Sequence, residues 1–169
     1  MAKVIYISGG QRSGKSHYAE SMVESLSATP TYLATAKCWD SEFEKRIARH
    51  KAARGSHWEN IERERELSSL NLNNKVVLLD CVTLWLTNIF SHHEFNLEKS
   101  LEEAKSDFDN LLKQDCTIVV VSNEIGTGVI PMERSTRAFV DLQGWVNQHI
   151  ASAANEAYTL ISGIPLKLK

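Results

Sequence analysis

The stretch Gly9-Gly10-Gln11-Arg12-Ser13-Gly14-Lys15-Ser16 constrains this chain more than any other, because it satisfies G-x-x-x-x-G-K-[ST] without a mismatch. Glycines at these positions let the backbone turn so that successive N–H groups point inward at phosphate oxygens. Lys15 supplies a positive charge, and Ser16 offers a hydroxyl to Mg²⁺. The surroundings suit the motif. Lys3 to Ser8 is a short β-branched, apolar run directly upstream, and Ser16 to Ser25 contains neither Gly nor Pro. The loop is therefore expected between a strand and a helix, whose amino end adds its positive dipole to the cradle.

Strand-like and helix-like segments alternate along the rest of the chain. A helix over Lys15 to Leu26 has Ala19, Met22, Val23 and Leu26 on its core face, and Thr31 to Thr35 reads as a second strand. From Trp39 to Arg54 the pattern is helical and charged, with acids early and bases late. Arg46, His50 and Arg54 are spaced by four and share a face flanked by Arg49 and Lys51; spacing alone fits either a solvated surface or an anion-binding patch. His57 to Glu62 reads as an irregular segment or a short strand, and Arg63 to Leu72 as a helix. Lys75 to Asp80 is a buried-type strand ending in a carboxylate, where a phosphate-loop fold places the aspartate that orders a Mg²⁺ shell; a strand-terminal aspartate can equally serve as a cap for the next segment.

Val82 to Phe90 reads as a helix or helical lid broken by Ser91 to Glu94, and adjacent His92 and His93 point different ways, against a metal site there. Leu97 to Leu112 is an amphipathic helix with Leu97, Leu101, Ala104, Phe108 and Leu111 inward. Cys116 to Ser122 is a third β-branched strand, leading into Asn123-Glu124 and a glycine loop. A long helix is expected over Glu133 to Ala154, interrupted at Gly144. Ala157 to Ser162 comes next as the last buried strand, with a short edge strand at Leu166 to Leu168. The pattern predicts an α/β fold: a single phosphate-loop NTPase-like domain over residues 1–169, its mostly parallel sheet flanked by helices and its ligands at the carboxyl ends of the strands.

Composition narrows the partners. A net charge of −2 argues against broad nucleic-acid or anionic-membrane binding. The apolar runs Val76 to Leu79 and Ile118 to Val121 are too short to span a bilayer, and the amino end reads as a strand rather than a signal core, so the chain is expected in the cytoplasm without membrane insertion. Cys38, Cys81 and Cys116 are odd in number and widely spaced, as reduced, packed thiols are.

Several pieces, in this order, resemble a known family. They are the phosphate loop, Arg46 to Lys51, His57-Trp58, Asn123 to Pro131, Asp141 to Gln148 and Ser162 to Lys167. Over essentially its full length the chain resembles the bifunctional adenosylcobinamide kinase / adenosylcobinamide-phosphate guanylyltransferase family. The resemblance implies two reactions at one nucleotide site. ATP or GTP phosphorylates a hydroxyl of adenosylcobinamide, and GTP then guanylylates an enzyme histidine, which passes GMP to the phosphorylated corrinoid. It implies His50 as the covalent nucleophile and Lys15 as its catalytic companion, with Mg²⁺ held through Ser16 and Asp80. For nucleotide binding it implies Gly9 to Ser16 (Gly9, Gly10, Gln11, Arg12, Ser13, Gly14, Lys15, Ser16), Thr35, Ala36, Lys37, Lys51, Ala52, Ala53, Arg54, Glu62 and Asp80. It also implies a homotrimer. The chemistry of the residues agrees, since nearby cations keep an imidazole neutral for attack and stabilise departing pyrophosphate. Glu124 is a candidate general base.

Two other readings fit a phosphate loop. A kinase-only enzyme acting on a small-molecule hydroxyl would use His50 merely as a phosphate ligand and form no covalent nucleotide adduct. A GTP-binding regulatory switch would turn over no metabolite.

Overall fold

Side chains alternate along the first strand, β1 (Lys3–Gly9), and both sides are apolar. Val4 and Tyr6 enter one core while Ile5 and Ile7 enter another. A strand of this kind needs cover on both faces, the arrangement that parallel sheets adopt. The structure, a computed structural model, describes residues 1–37 and 54–169. After β1 come α1 (Lys15–Leu26), β2 (Thr31–Ala34), β3 (Glu59–Glu62), β4 (Val76–Asp80), α2 (Val82–His92) and α3 (Leu97–Leu111). The described chain ends with β5 (Thr117–Asn123), α4 (Arg134–Ala153), β6 (Glu156–Ile161) and β7 (Ile164–Lys167).

The strands form one seven-stranded sheet in the order β3-β2-β4-β5-β1-β6-β7. Neighbours are parallel except β6 and β7, which make an antiparallel hairpin. In register, Gly9 faces Asn123, and Ala34 faces both Glu62 and Asp80. Parallel pairing thus brings the carboxyl ends of β1 to β6 to one edge of the sheet. On one face α1 packs Ala19 and Val23 against Ile5, Ile7, Leu78, Val119 and Val121, with Trp58 completing that cluster. On the other face α2, α3 and α4 contribute Trp85, Leu86, Ile89, Phe108, Leu111, Leu142, Val146 and Ile150 to the larger core. Phe108, 1% exposed, is of the class whose truncation to Ala costs about 3–5 kcal/mol.

The structure departs from the periodicity at several places. Arg63 to Leu72 is not a helix; it carries only a 3₁₀ turn at Leu67–Ser69. Glu66 enters the left-handed region at φ 54°, and the N–H groups of Leu67 and Ser68 donate to the Asp107 carboxylate at 2.8 and 2.9 Å. A carboxylate from α3 therefore takes the donors that a helix would have kept. Gly144 does not interrupt α4, which runs unbroken through it. The helix is held by Leu142, Val146 and Ile150, so the roughly 1 kcal/mol that glycine costs is absorbed by packing. His92 belongs to α2 rather than to a break. β6 is only partly buried, with Ala157 and Leu160 its covered residues, and β7 at its outer edge is exposed along its length. The basic helix expected from Trp39 lies outside the described residues except for Arg54, which sits in a bend. Cys81 and Cys116 are buried free thiols, and Cys38 lies outside the described residues.

Replacing Asp107 by Ala leaves the buried N–H of Leu67 and the part-buried N–H of Ser68 without acceptors and is expected to lower the unfolding free energy by about 2–3 kcal/mol in urea titration. Glu102→Ala, on the exposed side of the same helix, should change it by less than about 0.5 kcal/mol.

Candidate functional site

The phosphate loop leaves β1 at Gly9 and enters α1 at Lys15. Its turn needs backbone that side chains resist: Gly14 has φ 92° and Arg12 φ 61°. Gly9 is needed for space, since a Cβ there would lie 2.5 Å from Ser13 Oγ and 2.9 Å from the Leu160 carbonyl oxygen. A second tight turn braces the loop from outside. Ser162 and Gly163, at φ 52° and 82°, form the two-residue connection between β6 and β7, and the Gly163 N–H donates to the Ser13 carbonyl at 2.9 Å. No side chain caps the amino end of α1, so its first-turn N–H groups remain for an anion. Ser13 Oγ is buried without a hydrogen-bond partner.

Lys15 is buried at 8% exposure, and its Nζ donates to the Gly10 carbonyl at 3.1 Å. Burial holds its pKa below the usual lysine range, opposed at neutral pH by the nearby Asp80 charge. The charge is thus poorly solvated. Asp80 ends β4, and its Oδ2 accepts from the Tyr32 hydroxyl at 2.8 Å, leaving Oδ1 for other partners. Burial, with the Asp80 charge as the next cause, pushes the phenol far above its ordinary range, so Tyr32 stays a donor. Cys81 follows Asp80 through a cis peptide bond, and burial foremost pushes its thiol up to about 11. At neutral pH it is an inert, protonated thiol.

Thr35, which the resemblance places among nucleotide contacts, is fully buried and committed to the protein. Its Oγ1 donates to the Cys81 carbonyl at 2.8 Å and accepts from the Cys81 N–H at 3.1 Å. Its carbonyl accepts from Asn88 Nδ2 at 2.7 Å. The hydroxyl therefore locks the end of β2 to the end of β4. Ala36 is half-buried beside it. Lys37 is exposed and helps line a polar recess of about 240 Å³ with Glu64, Arg65, Asn88, Ser91 and His92.

Arg54 is the last residue of the basic segment and the first described again. Its guanidinium carbon lies 3.3 Å from the centre of the Tyr32 ring. The side chain is 7% exposed; Nη2 reaches Asn60 Oδ1 at 3.5 Å, Nη1 is 3.9 Å from Glu20 Oε1, and Nε and Nη1 have no hydrogen-bond partner. Stacking on the ring contributes about 0.5–2 kcal/mol, which does not offset desolvation of an unpartnered guanidinium edge.

The β5 end is tied down from behind. Asn123 Nδ2 donates to Thr83 Oγ1 at 3.0 Å, while Asn147 Nδ2 donates to the Asn123 carbonyl at 3.1 Å. Gln143, Asn147 and Ser122 form a buried hydrogen-bonded cluster beneath it. Glu124 is anchored by its N–H to the Gly9 carbonyl at 3.0 Å, and its exposed carboxylate accepts from the Gly126 N–H.

The structure thus brings Asp80 near Lys15 of the loop, and Tyr32 joins Asp80 to Arg54, whose other neighbours are Asn60 on β3 and Glu20 on α1. Glu62, exposed at the end of β3, is not gathered with the loop. β2, β4 and β5 separate β3 from β1, about 19 Å at the usual strand spacing. His50, Lys51, Ala52 and Ala53 lie outside the described residues, as do Arg46 and Arg49. Sequence reasoning missed Tyr32, Asn88 and Thr83. A tyrosine within an apolar strand reads as core, and only its polar tip hinted at a partner. The ligand atoms of His92, His93 and Glu103 do come together within 4.8 Å. Arg65 nonetheless takes both Glu103 oxygens at 2.9 Å, and His93 Nε2 lies 2.6 Å from Oε2, which makes the group an ion-pair cluster.

Comparison with known proteins agrees with this architecture. A type III secretion ATPase of pathogenic bacteria superposes with TM-score 0.59 at 12% identity over 94% of this chain and 51% of its own, a likeness of fold. The bifunctional adenosylcobalamin biosynthesis protein CobU of Escherichia coli is 36% identical, over 98% of this chain and 99% of its own. The corresponding protein CobP of Pseudomonas aeruginosa is 35% identical, over 96% and 95%. Residues 5–168 match the family model for cobinamide kinase / cobinamide phosphate guanyltransferase. With that match spanning nearly every residue and relatives this similar end to end, the chain belongs to the cobinamide kinase / cobinamide phosphate guanyltransferase family.

Proposed function

We propose that one nucleotide site, within a single domain, serves two successive transfers of cobalamin biosynthesis. As a member of its family the chain is an enzyme, a kinase and guanylyltransferase acting on cobinamide. In the first transfer the hydroxyl oxygen of adenosylcobinamide attacks the γ-phosphorus of ATP or GTP. A P–O bond forms there as the bond to the β-phosphate oxygen breaks, and the hydroxyl proton is lost. In the second, a ring nitrogen of His50 attacks the α-phosphorus of GTP, forming a P–N bond and releasing pyrophosphate. A phosphate oxygen of the corrinoid then attacks the same phosphorus, the P–N bond breaks, and adenosylcobinamide-GDP leaves with the histidine restored.

The observation that carries this reading is the built phosphate loop with Lys15 buried inside it, in a chain that matches the family over residues 5–168. Lys15 and the loop amides hold and orient the phosphates, and low solvation makes their charge more effective on the transferring group. The family resemblance adds Arg54 as a nucleotide contact, and its guanidinium charge, only weakly paired with Glu20, suits a phosphate oxygen. The Ser16 hydroxyl and the Asp80 carboxylate are hard oxygen donors, the set that suits Mg²⁺. When bound, that ion would neutralise charge on the β- and γ-phosphates. The family resemblance supports His50 as nucleophile, Lys51 to Ala53 as nucleotide contacts and a homotrimer. Among the described residues no helix is long and apolar enough to cross a membrane, which agrees with work in the cytoplasm.

Lys15→Ala is expected to lower the rate of phosphorylation, followed by mass analysis of the corrinoid product, by about 100- to 1,000-fold. Wild-type rates in that variant would remove the phosphate-cradle assignment. Incubation with α-labelled GTP should leave an acid-labile, base-stable GMP adduct on the chain, absent in His50→Ala while that variant still phosphorylates. No adduct on the wild type would leave the kinase alone, and no corrinoid product at all would favour a GTP-binding switch.

A further inference from the structure

Tyr32 stands outside every motif read from the sequence. Packed in one cluster with Ile5, Ile7, Leu78 and Trp58, it has the burial of an ordinary core residue. Yet its hydroxyl donates to Asp80 Oδ2 at 2.8 Å, and the centre of its ring lies 3.3 Å from the Arg54 guanidinium carbon. Asp80 and Arg54 carry opposite charges, but among the described residues no ion pair joins them. Tyr32 is what they share.

Neither charged group is fully matched by the protein. Nε and Nη1 of Arg54 are buried without a hydrogen-bond partner, and Glu20 Oε1, 3.9 Å from Nη1, is too distant to be one. Such a guanidinium is held mainly by the ring face and the long Glu20 pair, so its charge is under-compensated by the protein and an added oxyanion would be a favourable partner. Asp80 is held on one oxygen by a neutral donor, which fixes its direction without cancelling its charge. The second oxygen would be the one to hold a cation accompanying the phosphates. A direct Asp80–Arg54 pair would have satisfied each group with the other and left neither for a ligand. One rigid phenol can hold both apart, because it offers an electron-rich face and a hydroxyl on a side chain with only two torsions.

We propose that Tyr32 is a positioning residue that joins the two charged groups of the nucleotide site, its hydroxyl aiming the Asp80 carboxylate and its ring carrying Arg54 toward the phosphate oxygens. The inference rests on the triphosphate reading above and adds to it a division of labour. The hydroxyl serves the metal-facing side of the site, and the ring serves the anion-facing side.

The test titrates a non-hydrolysable GTP analogue calorimetrically into the full chain, once in excess Mg²⁺ and once in excess EDTA. Wild type, Tyr32→Phe, Tyr32→Leu and Arg54→Gln are compared, with Lys15→Ala as control. Tyr32→Phe is expected to bind within about two-fold of wild type in EDTA, while the gain in affinity on adding Mg²⁺ falls roughly five- to ten-fold, the size of one lost hydrogen bond. Tyr32→Leu should also weaken binding in EDTA, by roughly ten-fold and to the level of Arg54→Gln. Combining Tyr32→Leu with Arg54→Gln should add less than about two-fold, because both remove the same contact. A merely structural tyrosine would not separate the two conditions. A full Mg²⁺ gain in Tyr32→Phe overturns the proposal, and that arm decides alone if Tyr32→Leu does not fold. Should Lys15→Ala bind as wild type does, the triphosphate reading itself falls, an outcome distinct from normal nucleotide binding with Tyr32 silent.

Discussion

The left-handed turn at Gly14 is the joint on which the site depends. It converts the direction of β1 into that of α1 within a few residues, and it leaves the first amides of the helix uncapped by any side chain. A residue with a Cβ would be strained at φ 92°, and that atom would come within 3.2 Å of the Gly163 Cα. Gly163 is close because the β6–β7 turn donates its own N–H to the Ser13 carbonyl. The phosphate loop is thus a surface loop clamped between two tight turns, one at each end of the chain. Preorganised donors of this kind lose little freedom when phosphate arrives, which is where much of their binding power lies.

Around that joint, buried polar groups hold the other strand ends still. The Thr35 hydroxyl bonds both the carbonyl and the N–H of Cys81, so β2 and β4 finish in fixed relation. Ser122, Gln143 and Asn147 do the same beneath Asn123. An apolar core of the same volume would be at least as stable, since buried hydrogen bonds contribute only about 0.5–1.5 kcal/mol each. Their value is directional. They fix the directions in which the strand ends carrying Asp80 and Glu124 leave the sheet.

The chain was most legible where physics is local. The strand–loop–helix unit at residues 3–26 comes from β-branched alternation, glycine spacing and a helical stripe, and the structure reproduces it almost residue for residue. Arg63 to Leu72 was illegible for the opposite reason. Its helical pattern was genuine, but the Asp107 carboxylate, about 40 residues on, takes the N–H groups of Leu67 and Ser68. Gly144 misled because propensity is a small term beside the burial of Leu142, Val146 and Ile150. The histidine pair misled by assuming that adjacent side chains diverge. His92 closes α2 and His93 caps it, so both reach toward Glu103 across the turn between helices.

By itself the sequence determined the chemistry of the phosphate loop, the alternation of strands and helices, and the family, because each is written in neighbouring residues or in the order of motifs. The tertiary structure alone decided which carboxylate stands near the loop, that Thr35 is a lock, and that Tyr32 links Asp80 to Arg54. The Tyr32–Asp80 bond joins residues 48 apart, and the brace on Ser13 arrives from Gly163. Such contacts come from strand order and register, in which β2 is placed beside β4 rather than beside β1. No local periodicity encodes that choice, because it is made by the packing of the whole sheet.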